Sequence, residues 1–121
     1  MRWAVAIAVA VLAAAIASYM KLPLQLGAHP VWADKVVFRG ALIGIVLAIA
    51  SSRLQYAARA VGLAVLTGIA YGIAHIGKTR FAASYAEDAF AGQIWFLGWH
   101  GVCAFAVATV ATLFYTRPIS N

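Results

Sequence analysis

From Ala89 to Thr116 the chain runs without a single Asp, Glu, Lys or Arg. A hydrocarbon core of ~30 Å takes about 20 helical residues to cross, so this stretch alone is long enough to span a bilayer and to tilt within it. It has company. Trp3 to Met20 is uncharged between Arg2 and Lys21, and Ala60 to Gly77 is uncharged between Arg59 and Lys78. A fourth stretch, Val36 to Ser52, carries Arg39 in its first turn, so that side chain must snorkel to the interface if the segment spans.

Composition supports a lipid setting. Hydrophobic residues make up 65% of the 121 and charged residues 10%, whereas a soluble domain carries about a quarter charged. Too few polar side chains exist to cover a water-facing surface. Open strands would leave backbone edges unpaired in lipid, and the runs lack the alternation of a membrane barrel, so helices are expected. The prediction is a single all-α membrane domain over residues 1–121, a polytopic protein built as a compact antiparallel bundle of four transmembrane helices. Their ranges are about 3–20, 36–52, 56–77 and 93–115.

The first segment also has the form of a signal peptide, with Arg2, an apolar run and a cleavage pattern at Ala15-Ile16-Ala17. The expectation is that residues 1–17 are retained as an anchor. Sidedness is less legible. With the N-terminus inside, four basic residues (Arg2, Arg53, Arg59, Arg117) face five (Lys21, Lys35, Arg39, Lys78, Arg80), an even tally under a rule that counts Lys and Arg alone. The short central hairpin favours an N-in, C-in arrangement in a bacterial inner (cytoplasmic) membrane.

Helices in lipid gain little from apolar burial, so close backbone approach matters most. Gly40 and Gly44 form a GxxxG in the second span, and Gly68 and Gly72 form another in the third. Ala6, Ala10 and Ala14 repeat every four residues in the first. All are expected to pack the chain's own helices. Trp95 and Trp99 lie one turn apart near the start of the last span and read as an interfacial aromatic belt.

The net charge of +6 and pI near 10 would suggest nucleic acid in a soluble protein. Here the basic residues flank apolar segments, where they meet lipid headgroups, and no nucleic-acid partner is expected. Cys103 is the one cysteine and can form no intrachain disulfide.

Candidate chemistry centres on two histidines. In "YGIAHIGKTRF", His75 stands two residues before Gly77, read as the end of the third span, and His100 lies about seven residues into the fourth. Antiparallel neighbours would put both in one half of the membrane. Three readings remain open. The pair could ligate a b-type haem, or His100 a chlorophyll-type pigment, because imidazole is the usual axial ligand of such iron. His75, His100, Glu87 and Asp88 could form a proton-handling or substrate site. Both histidines could instead be interfacial or packing residues. A further polar set comprises Asp34, Lys35, Arg39, Glu87 and Asp88. The serines have no evident His–acid partners, the Cys and His residues lack zinc-site spacing, and no phosphate-cradling loop occurs, so no catalytic residue is assigned.

Asp34 and Lys35 in "ADKVVF", Tyr71-Gly72 and Asp88 together give the chain a resemblance to the VanZ-like family of small four-helix membrane proteins. It runs loosely over residues 20 to 100. Phe38 stands where that family has a histidine, His75 or Ile76 near its glutamate, and Gly92 at its asparagine. The resemblance implies an envelope or glycopeptide-resistance context. Three functions follow as expectations: a non-enzymatic subunit or accessory of a larger membrane complex, a VanZ-like resistance protein or small transporter, or a cofactor-binding anchor using His75 and His100.

Overall fold

The computed structural model describes residues 2–115, apart from the side chain of Arg2. Arg117, counted above among the inner basic residues, lies outside this range. Five helices follow in order: α1 (Arg2–Tyr19), α2 (Leu22–Leu26), α3 (Ala33–Ala50), α4 (Tyr56–Ala83) and α5 (Ala89–Leu113). Among the described residues there is no strand. By length and apolar character α4 and α5 are long enough to cross a membrane, while the apolar run of α1, Trp3–Tyr19, is shorter.

α5 is the axis of the fold. α4, α3 and α1 all pack on it, α1 and α3 also touch, and the α4 backbone approaches neither of those two. Directions follow from the contacts. On α4, Ala70 meets Gly101 and Ala74 meets Gly98, so the α4–α5 pair is antiparallel. On α3, Gly40 meets Cys103 and Gly44 meets Val107, so α3 runs parallel to α5. Trp3 of α1 lies 4.1 Å, ring to ring, from Tyr115 just beyond the C-terminus of α5, which places α1 antiparallel to it. The all-helical expectation holds, with three helices arrayed on a central one and α4 held along one side only.

Small residues set these contacts. A Cβ on Gly44 would fall 2.8 Å from that of Val107, and one on Gly77 would fall 2.5 Å from the backbone nitrogen of Trp95. Ala6 and Ala10 of α1 and Ala108 and Ala111 of α5 are wholly buried. Gly68 and Gly72 depart from expectation. A Cβ at either would meet nothing within 4 Å, so that motif packs no helix of this chain.

Helix ends also differ from the sequence reading. α4 passes through Gly77 and runs to Ala83 before Tyr85 and Ala86 turn left-handed at φ 57° and 66°. Gly77 is a packing glycine, not a terminator. α5 begins at Ala89, earlier than expected. The Asp88 carboxylate accepts from Ala91 N–H at 3.0 Å, and Ser84 Oγ accepts from Asp88 N–H at 2.9 Å. A side-chain acceptor at this position satisfies one of the helix's free N–H groups. At the opposite end of the molecule Arg59 is buried. Its Nη1 donates to Ser52 O at 3.0 Å, just beyond α3, and its guanidinium lies 5.8 Å from the centre of the Tyr115 ring.

These contacts predict opposite outcomes for two alanine substitutions. Gly44→Ala drives a methyl group into α5 and should cost about 1–3 kcal/mol of stability. Gly68→Ala meets open space and should be neutral or gain up to about 1 kcal/mol from helix propensity. Unfolding midpoints of the two variants in the same detergent check the pair.

Candidate functional site

The polar and aromatic residues concentrate at the end of the molecule formed by α2, the start of α3, the end of α4 and the start of α5. α2 itself was not foreseen. It is a single turn containing buried Pro23, flanked by left-handed residues at Lys21 (φ 57°) and Gly27 (φ 117°). Two long side chains tie its C-terminal end to the core. Tyr71 Oη donates to Leu26 O at 3.1 Å, and Trp95 Nε1 donates to Gly27 O at 3.0 Å. Trp95 and Trp99 are buried rather than displayed as a belt, and the Tyr71 ring meets Trp99 edge-on at 5.9 Å.

Around Trp95 lies a cluster that the sequence reading missed. The His29 ring is 5.4 Å from Trp95 and 6.0 Å from Trp32, Trp32 is 5.4 Å from Trp95, and Phe81 is 5.8 Å from it. His29 and Trp32 are stacked at 26° and the other three pairs are perpendicular or tilted, arrangements that suit the ring quadrupoles at these separations. His29 Nδ1 accepts from Val31 N–H at 3.1 Å, which leaves the ring proton on Nε2. An open recess of about 410 Å³ remains, bordered by His29, Trp32, Gln93 and Phe96. The only advance sign was "AHPVW", a histidine and tryptophan three apart around a proline.

The two histidines singled out from sequence do not converge. His75 is exposed on α4, and its carbonyl accepts from Thr79 Oγ1 at 2.9 Å. His100 is half-buried, with Nδ1 3.0 Å from Phe96 O and its ring 4.6 Å from that of Phe96. A carbonyl only accepts, so Nδ1 carries the proton and neutral His100 offers Nε2 as its lone pair. Gly98 is the residue that faces Ala74. His100 stands two residues further on, roughly 200° around the helix, and so points away from α4. The depths are close, but the faces oppose, and a haem bridging His75 and His100 has no place between these helices. Among the described residues no group of three or more His, Cys, Asp or Glu side chains is placed to hold a metal ion.

The second predicted set is also dispersed. Asp34 accepts from Ser18 Oγ at 3.0 Å, joining α3 to α1, while Lys35 and Arg39 are exposed on α3. Glu87 is exposed in the turn before α5. Asp34, Tyr71 and Asp88, which carry the VanZ-like resemblance, each have a structural partner: a serine hydroxyl, a backbone carbonyl and a helix N–H. No family model matches the chain, and neither a curated protein nor a solved structure does so.

The tethers on α2 predict a local effect. Trp95→Phe retains a ring but leaves Gly27 O without its donor, and Tyr71→Phe does the same for Leu26 O. Each should cost about 1 kcal/mol, and the pair together should speed tryptic cleavage at Lys21. Limited proteolysis followed by mass analysis reads this out.

Proposed function

We propose that this chain is a four-pass helical protein of a bacterial inner membrane that serves as a small, non-enzymatic subunit of a larger membrane assembly. The alternating directions of α1, α3, α4 and α5 support four passes. α1 and α3 have 18 residues each, about 27 Å at 1.5 Å per residue, which suffices for a ~30 Å core when Arg39 snorkels. N-in, C-in orientation would put α2 and the aromatic cluster outside.

One observation carries the subunit reading. α4 leans on α5 with one face, and along its other faces Val61, Val65, Gly68, Ile69, Gly72 and Ile76 are exposed. Gly68 and Gly72 leave a shallow backbone groove one turn long, open on the outside. In lipid, such a groove favours a second helix because its backbone can come close enough for extensive van der Waals contact and Cα–H···O contacts. The partner is therefore read as a transmembrane helix of another membrane-protein subunit. The polar side chains support a non-catalytic role, since Asp34, Asp88 and Tyr71 are engaged in holding the fold together.

Extraction in a mild detergent and native mass measurement tests this. The expected result is a species heavier than the 12.8 kDa chain, containing another polypeptide. Gly68→Leu with Gly72→Leu should release that polypeptide without lowering the unfolding midpoint. A wild-type chain that is strictly monomeric overturns the reading. The VanZ-like or transporter reading makes a different demand, because it needs Asp34, Arg39, Glu87 or Asp88. Neutral replacement at these positions should abolish complementation of a deletion strain if they act on a substrate, and full complementation removes that alternative.

A further inference from the structure

Resting on the reading that lipid surrounds these helices, we infer that the crevice beneath α2 holds one alkyl chain of an anionic phospholipid. α1 presents only Ala13, Ala14 and Ala17 to this region, and side chains so short leave about 260 Å³ unfilled against α5. The α5 wall extends from Trp99 to Val110. That rise is about 16 Å, close to half of a ~30 Å hydrocarbon core, which is the depth of one leaflet. α2 forms the roof through Leu22, Pro23 and Leu26.

The lining is apolar, with the Cys103 thiol and the Trp99 indole N–H its polar groups. A water needs two to four polar partners and would find too few there, and an empty crevice would forfeit dispersion contacts along its whole length. An alkyl chain supplies those contacts and demands no hydrogen bond. The roof is held in place by the Tyr71 and Trp95 tethers at its far end, so the crevice exists before the chain enters it.

Charge selects the headgroup. Lys21 stands at the N-terminal end of α2. At the C-terminal end, Lys78 Nζ lies beside Gly27, 3.2 Å from where a Cβ on that glycine would be. Neither ammonium group has a carboxylate partner among the described residues. Asp34, which accepts from Ser18, lines a small recess with Lys21 but lies more than a salt-bridge distance from its ammonium group. Two cations thus stand at the two ends of α2, the roof of an apolar crevice, and together the roof and the crevice complement an anionic head on a hydrocarbon tail. At about a fivefold preference per lysine near a headgroup, the two together favour an anionic over a zwitterionic lipid by roughly thirtyfold.

The test is native mass spectrometry of the full chain in mild detergent, offered equal amounts of phosphatidylglycerol and phosphatidylcholine with identical tails. One phosphatidylglycerol per chain is expected, with roughly the preference stated above. Ala13→Phe and, from the opposite wall, Ala106→Phe should each remove the bound lipid. Lys21→Gln with Lys78→Gln changes only exposed side chains, keeps the crevice, and should retain lipid while losing the headgroup preference. Equal binding of both lipids by the wild type, or anionic preference surviving the double lysine change, overturns the proposal. A chain that is monodisperse in buffer without detergent overturns the membrane reading instead, so the two failures are distinct.

Discussion

Everything in this fold depends on how closely other backbones can approach α5. In water, burying leucines would hold helices together across a wide gap. In lipid, the tails outside are as apolar as the core, so the contact itself must supply the energy. Gly40 and Gly44 on α3, Ala74 and Gly77 on α4, and Ala6 and Ala10 on α1 remove the side chains that would otherwise hold the axes apart. α5 answers with Gly98, Ala104, Ala108 and Ala111. A central helix this narrow can be approached from several sides at once. The cost of the solution is that α4, having α5 as its one close neighbour, leaves most of its circumference uncovered.

That geometry explains why some of the fold was legible in the sequence and some was not. The helical character of the chain follows from long apolar runs without charge, and the GxxxG of α3 does sit where two backbones meet. The same spacing at Gly68 and Gly72 faces outward because spacing reports that two small residues share a face, without reporting whether that face has a neighbour. The α4 sequence is apolar all round, so no polar side marks the outside. Gly77 looked like a terminator because it precedes Lys78 and Arg80, yet a glycine pressed against the Trp95 backbone is as much at home inside a helix. α4 ends instead where Ser84 turns to receive Asp88 and where Tyr85 and Ala86 go left-handed, a conformation more often given to glycine. α2 escaped notice because five residues give no periodicity to read.

The candidate site was less legible than the fold, for a different reason. Histidine pairs suggest ligation only when two helices present them to a common space, and the seam between α4 and α5 is used up by glycine and alanine. His75 and His100 are therefore turned outward by the same close packing that joins their helices. The third histidine, His29, lies in a connection and meets Trp95 only through the tertiary fold, at a sequence separation no local pattern can bridge. Trp95 similarly looks like an interfacial aromatic until its indole N–H is seen to hold α2.

Arg59 shows how the opposite end of the molecule meets the same constraint. A guanidinium withdrawn from water is costly unless its donors and charge are answered locally. Here Nη1 faces carbonyls released at the C-terminus of α3, where the helix dipole is negative, and the aromatic face of Tyr115 lies nearby, while Nε is buried without a hydrogen-bond partner among the described residues. Because the α3 and α4 backbones do not approach one another, this cation beyond the end of α3 adds a direct link to the register that each already has on α5. Tyr115 in turn meets Trp3 of α1. One buried charge thus joins the C-terminal end of α3, the first turn of α4, the segment after α5 and the start of α1, doing with polarity at one end what the tethers of α2 do at the other. Between the two fastened ends the helices need only small residues, and the outer surface of α4 is left free of any part in holding the fold.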